Sequence, residues 1–202
     1  INSRPALSFF KRRLMLDGSF FMTEQNTEAL DRIDQLIHTV ADFPKPGIQF
    51  KDITPLLACP KTFGETIDLM ESQVLALGAD LIAAPESRGF IFGVPLAQSL
   101  DIGFIPIRKP GKLPGGTVSV EYELEYGTDK IEMRSNAIQP GQKVLLVDDV
   151  LATGGTISAC QELVEKMGGV VIGTCFLLEL SFLEGRNKIP DCEVFSLLEI
   201  ND

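Results

Sequence analysis

The stretch that most constrains this sequence is Val144-Leu-Leu-Val-Asp-Asp-Val-Leu-Ala-Thr-Gly-Gly-Thr156. Its unbroken apolar start fits a strand buried on both faces, and such strands belong to parallel sheets covered by helices. The run ends in adjacent carboxylates, Asp148 and Asp149. It then turns through Ala152, Thr153, Gly154, Gly155 and Thr156 into a helix expected from about Gly155 to Met167. Glycines let the backbone approach a ligand closely, and threonine hydroxyls add donors. The helix start supplies unpaired N–H groups at the positive end of its dipole. This combination suits a phosphate monoester, and the lack of Gly-Lys-Ser/Thr excludes a Walker A loop. Two adjacent carboxylates repel a phosphate but suit vicinal ribose hydroxyls or a hydrated magnesium ion. The segment therefore describes a ribose 5-phosphate socket at the carboxyl end of a sheet, where open α/β folds bind ligands. The plainer alternative is an ordinary acidic strand-to-helix turn.

The rest of the chain agrees with an α/β architecture of about five core strands flanked by helices. Short apolar runs at Asp80–Pro85, Gly103–Arg108, Val170–Leu180 and Glu193–Ile200 supply the other strands. Helical periodicity appears over Thr27–Val40 (Leu30, Ile33, Ile37, Val40), with His38 beside the stripe as a surface or packing residue. It recurs from Phe63 through Ile67, Met70, Val74 and Leu77 to a stop at Gly78, and again over Phe90–Leu100. Two prolines and a glycine make Asp42–Gly47 irregular. From about 109 to 136 a glycine/proline loop precedes two period-two stretches, Val118-Val120-Tyr122 and Ile131-Met133. These predict an antiparallel hairpin turned near Gly127-Thr128, at the edge of the sheet where lids are found.

Length and charge narrow the function class. The 202 residues, 45% apolar and 23% charged, can build one core, so residues 22–202 are expected to form a single domain with a lid insertion at about 109–136. The net charge of −10 argues against a nucleic-acid partner. No apolar run is long enough to span a bilayer, so no membrane partner is expected. The cysteines Cys59, Cys160, Cys175 and Cys192 show no metal-type spacing, and one histidine is too few for a Cys/His zinc site. A reduced, cytoplasmic setting is expected. Residues 1–21 differ: Arg4, Lys11, Arg12 and Arg13 face only Asp17. They read as a poorly ordered upstream extension, with a targeting peptide as the alternative.

The Asp-Asp to Thr-Gly-Gly-Thr motif resembles the phosphoribosyl pyrophosphate (PRPP) motif of type I phosphoribosyltransferases. Four further pieces resemble the adenine phosphoribosyltransferase family: Asp42-Phe-Pro-Lys-Pro-Gly-Ile-Gln-Phe-Lys-Asp-Ile-Thr54, Glu86-Ser-Arg-Gly-Phe90, Arg108-Lys-Pro-Gly-Lys-Leu-Pro114 and Leu124-Glu-Tyr-Gly127. The likeness runs from about Asp34 to Leu198. It implies the type I fold with an N-terminal base-binding segment and an antiparallel lid hairpin. The implied reaction is magnesium-dependent, with adenine and PRPP giving AMP and pyrophosphate by inversion at the anomeric carbon.

The resemblance also distributes roles. Ala152 to Thr156 would hold the 5-phosphate, while Asp148 and Asp149 would meet the ribose hydroxyls, with magnesium held mainly by PRPP beside them and no direct protein ligand. Ser87, Arg88, Arg108, Lys109 and Lys112 would face pyrophosphate, with a non-proline cis peptide at Glu86–Ser87. Taken singly, these cations could equally be solvated surface charges. Glu125 would handle the purine proton, with Arg88 as the second catalytic candidate and Tyr126 beside Glu125 on the lid. The alternation of Glu121, Glu123 and Glu125 also fits one solvent face of a hairpin. Phe50 would stack on adenine, or else pack in the core, and the backbone of Gln49 and Lys51 would read the amino edge. Lys51 stands where the family usually has arginine, so a backbone role survives and a guanidinium role does not. The family implies a homodimer. The rival functions are a transferase for a 6-oxopurine or orotate, and a non-catalytic PRPP sensor.

Overall fold

The computed structural model describes residues 23–123 and 128–201. The expectations for residues 1–21, and for Glu125 and Tyr126, therefore lie outside the described residues.

The chain opens with helix α1 (Glu24–Gln35), capped by Thr23, whose hydroxyl accepts from the Asn26 N–H, and anchored by buried Ala29 and Ile33. The helix stops there, short of the Val40 limit expected from periodicity. His38–Ala41 form strand β1 instead, paired antiparallel with β2 (Gln49–Asp52), so that Val40 faces Phe50 in register. The returning strand decides this: β-branched Thr39 and Val40 accept extended backbone, and the Pro/Gly turn after them brings Gln49–Asp52 back as their partner. Asp42 holds that turn at φ 58 by accepting from the Gly47 N–H at 2.7 Å. Val40 is left 41% exposed, so it does not continue the buried stripe.

A short helix α2 (Thr54–Leu57) leads to α3 (Pro60–Val74). Pro60 starts α3, where its missing N–H costs nothing, and a 3-10 turn over Leu75–Leu77 ends at Gly78 in the left-handed region. Then come β3 (Leu81–Pro85), α4 (Arg88–Leu100), β4 (Gly103–Ile107), the hairpin β5 (Thr117–Glu123) and β6 (Thr128–Arg134), β7 (Lys143–Leu151), α5 (Gly155–Lys166), β8 (Val170–Leu180) and β9 (Val194–Ile200). The main sheet is five-stranded, in the order β4-β3-β7-β8-β9, and every pairing in it is parallel.

Alternate residues of β7 divide the interior. Leu145 and Val147 join Met70, Ile82, Phe92 and Leu96 in the core under α3 and α4. Val144 and Leu146 join Ile105, Phe176, Ile157 and Leu163 in the core under α5. Each such fully buried side chain contributes about 1.5–3 kcal/mol of transfer free energy. The hairpin is fastened to the second core by Val120, Ile131 and Met133. Because the sheet is parallel, the ends of β3, β4 and β7 emerge on one edge, and the lid hairpin departs from that same edge.

Candidate active site

Asp148 and Asp149 stand near the end of β7, and the loop after them enters α5 at Gly154, which caps the helix at φ 79 without a side-chain cap bond. The first N–H groups of α5 are thus not capped by that residue's side chain and point toward the loop. Asp148 and residues 150–157 line a cavity of about 80 Å³. Pockets for whole ligands are ~300–1,000 Å³, so this one fits a single anionic group. A methyl group on Gly154 would lie 2.3 Å from the Gly185 carbonyl oxygen, so only glycine fits the loop's path.

The two carboxylates differ in surroundings. Asp149 is 6% exposed and is clasped by Arg88, whose Nε donates to Oδ2 at 2.5 Å and whose Nη2 reaches the same oxygen. Asp148 retains some accessible surface, yet its carboxylate is enclosed by protein. Desolvation first, and the neighbouring Asp149 charge second, push it well above the usual carboxylate range. Its Oδ1 accepts from the Asp149 N–H at 2.9 Å.

The same guanidinium joins the aromatic side chain of β2 to the acids. Arg88 lies over the Phe50 ring at 5.0 Å, and Phe43 meets that ring edge-on at 5.1 Å. Phe50 is half-buried and belongs to neither core. Gln49 is exposed, and Lys51 donates from Nζ to Thr39 Oγ1 at 2.9 Å.

Two of the remaining cations, Arg108 and Lys112, gather on one carboxylate. Glu86, with a side chain 8% exposed, accepts from Arg108 Nε at 2.8 Å, from Lys112 Nζ at 3.0 Å and from the Lys109 N–H at 2.9 Å. Burial pushes the Glu86 carboxyl up, but these donors together outweigh it and hold it below its ordinary value. Lys109 Nζ turns to Asp129 at 2.9 Å, and that hydrogen bond raises the ammonium. The Glu86–Ser87 peptide is cis, and Ser87 is exposed beside it. One edge of the sheet thus carries a glycine loop opening a helix, a pair of acids, an aromatic ring and four basic side chains.

Residues 57–201 match the Phosphoribosyl transferase domain. That match begins after Phe50, so it describes the sheet and the loop but omits the aromatic segment. The adenine phosphoribosyltransferase of Desulfitobacterium hafniense (strain Y51) is 54% identical over 172 residues, which is 85% of this chain and 99% of that protein. The chain belongs to the adenine phosphoribosyltransferase family. The crystal structure of the Thermoanaerobacter pseudethanolicus member has a TM-score of 0.83 at 52% identity, covering 85% of this chain and 99% of that one. The Saccharomyces cerevisiae member, complexed with D-2,5-dideoxy-2,5-imino-altritol 1,6-bisphosphate and adenine, has a TM-score of 0.80 at 40% identity over 85% and 99%.

Within this adenine phosphoribosyltransferase, three features of the site escaped sequence reasoning. Glu86 lay inside a recognised motif, but nothing local showed that it would organise cations from the next strand. Asp129 and Tyr122 sit on the hairpin, where the Tyr122 hydroxyl lies 3.5 Å from Asp129. Burial raises the Tyr122 phenol, which keeps it a donor. The third feature is the turn at Gly185 against the loop, which carried no sequence signal beyond a lone glycine.

Proposed function

We infer that this phosphoribosyltransferase moves the 5-phosphoribosyl group from PRPP to adenine, forming AMP and pyrophosphate in purine salvage. The observation that carries the reading is Arg88 bridging Asp149 and the Phe50 ring, because it sets a flat aromatic surface beside acids suited to a ribose. The residue roles follow from that placement. The 5-phosphate sits in the loop from Ala152 to Thr156, on the first N–H groups of α5. Asp148 and Asp149 accept from the ribose hydroxyls and face the positive charge that grows on the sugar as pyrophosphate departs. Arg88, Arg108, Lys109 and Lys112, with Ser87 beside them, receive the leaving pyrophosphate, and Glu86 keeps two of these side chains in place until then. A preorganised partner of this kind is worth about two to three orders of magnitude in rate.

Adenine stacks on Phe50, and the backbone of Gln49 and Lys51 reads its amino edge, where a carbonyl accepts and a 6-oxopurine offers no donor. Glu125, with Tyr126 next to it in the sequence, takes the purine proton. Magnesium fits this donor set. Arg88 occupies Asp149, while Asp148 lines the loop cavity and its Oδ1 accepts one backbone N–H. Such a sparse oxygen set suits an ion carried chiefly by substrate phosphates. When bound, magnesium neutralises charge on the pyrophosphate. The family resemblance also supports a homodimer in the cytoplasm; among the described residues no helix is long and apolar enough to cross a membrane.

The test is pyrophosphate release by purified protein with PRPP, magnesium and, in turn, adenine, hypoxanthine, guanine and orotate. Release with adenine alone is expected, and Glu125→Gln should slow it. PRPP binding with no turnover on any base would replace the enzyme reading with a sensor, and turnover of hypoxanthine or guanine would overturn the base assignment.

A further inference from the structure

The turn after β8 carries an ion pair, a buried carboxylate held by a half-exposed guanidinium, that the reaction itself does not use. Glu179 is 3% exposed, and its oxygens accept from Arg186 Nε at 2.7 Å and Nη2 at 2.6 Å in a forked arrangement. Ser196 on β9 donates to Glu179 Oε2 at 2.9 Å, and Arg186 Nη1 reaches the Val194 carbonyl at 3.3 Å. Arg186 lies in the 3-10 turn Gly185–Lys188, so its side chain ties that turn to both β8 and β9. Immediately before Arg186, the Gly185 backbone meets the loop after β7. A methyl on Gly185 would stand 2.3 Å from the Ala152 carbonyl oxygen, and one on Gly154 would stand 2.3 Å from the Gly185 carbonyl oxygen. Neither backbone has room to move toward the other, so the seat of one fixes the path of the other.

We propose that Glu179 and Arg186 are positioning residues, which set the 5-phosphate loop by holding Gly185 against Ala152–Gly154. With the Arg186 side chain 45% exposed, solvent screens the attraction while burial of the carboxylate costs desolvation, so the pair's net worth to stability is small. What it supplies here is direction, since a forked guanidinium fixes the turn's orientation where an ammonium would not. A displacement of about 1 Å in a positioned group costs as much as a hundredfold in rate. The proposal rests on the reading of Ala152–Thr156 as the phosphate seat.

The experiment measures ribose 5-phosphate affinity by calorimetry, together with kcat and KM for PRPP and adenine, in Arg186→Met, Arg186→Lys, Gly185→Ala and Thr156→Ala. For Arg186→Met and Gly185→Ala, ribose 5-phosphate binding and kcat/KM for PRPP should weaken about tenfold to a hundredfold, while KM for adenine stays within about twofold. Arg186→Lys should fall between these and the parent, because it keeps charge without the fork. If Arg186→Met does not fold, Arg186→Lys and Gly185→Ala deliver the same readouts. A lowered melting temperature with unchanged ribose 5-phosphate affinity in those variants would make the pair merely structural and overturn the proposal. Unchanged affinity in Thr156→Ala would instead remove the phosphate-seat reading beneath it.

Discussion

Arg88 offers the sharpest quantitative test, because it is held by contacts of two different kinds. Replacing it by methionine strands Asp149, which is 6% exposed, beside Asp148. Removing one partner of a fully buried pair costs about 3–5 kcal/mol, but the Arg88 side chain is 34% exposed, and solvent screening reduces the expectation to about 2–3 kcal/mol. Loss of the guanidinium over Phe50 adds about 0.5–1 kcal/mol. For a chain of this size each kcal/mol moves the melting temperature by about 2–4 °C, so Arg88→Met should melt roughly 5–16 °C below the parent at pH 7. Asp149→Asn removes the charge that Arg88 offsets, so the double variant should be less damaged than the sum of the single ones. A coupling of about 1–3 kcal/mol is expected from urea denaturation of all four proteins. Additivity within about 0.5 kcal/mol would refute the claim that the pair acts as a unit.

Three other outcomes follow from the same geometry. Phe50→Ala should raise KM for adenine by roughly 5- to 150-fold, the range for losing one base–aromatic stack, with KM for PRPP little changed; equal effects on both substrates would count against stacking. Asp148→Asn should stabilise the fold at pH 7 while lowering kcat by about a hundredfold. The folded carboxyl is raised by desolvation and by Asp149, so its ionisation opposes folding as pH rises above the ordinary value, and the gain should vanish as pH falls to about 4. A variant no more stable than the parent at pH 7 would contradict the assignment. Glu179 behaves oppositely: the Arg186 hydrogen bonds, opposed by burial and aided by Ser196, hold it below its usual value. Its contribution is complete above about pH 4 and is lost as pH falls through the lowered value. Glu179→Gln should therefore flatten the fall of melting temperature with acid, and an unchanged acid slope would exclude the pair as its source.

The strand, the acids and the glycine loop of residues 144–156 were legible because one contiguous stretch carries them all. Backbone permissiveness, hydroxyl donors and a helix start all lie within a few residues of one another. The helices of residues 60–77 and 88–100 were legible for a similar reason, since a buried face repeats with the helix period wherever it packs. The end of α1 was not. Ile37 and Val40 satisfy a helical spacing, and only the strand returning through Gln49–Asp52 decides that His38–Ala41 are extended.

Four basic residues in two motifs could be named from sequence as candidates. That Glu86 holds Arg108 and Lys112, and that Arg88 lies between Asp149 and Phe50, depends on strands β3, β4 and β7 ending on the same edge. Gly185 shows the limit most plainly. Its neighbour Gly154 is 31 positions away in the sequence, and the contact between them exists because β8 carries the chain back beside the loop. Local chemistry is written in consecutive residues, so the sequence by itself determined the strand, the paired acids and the glycine turn into the helix. Distances between remote backbones are set by the sheet's order and the packing of its two faces, and only the tertiary structure decided those.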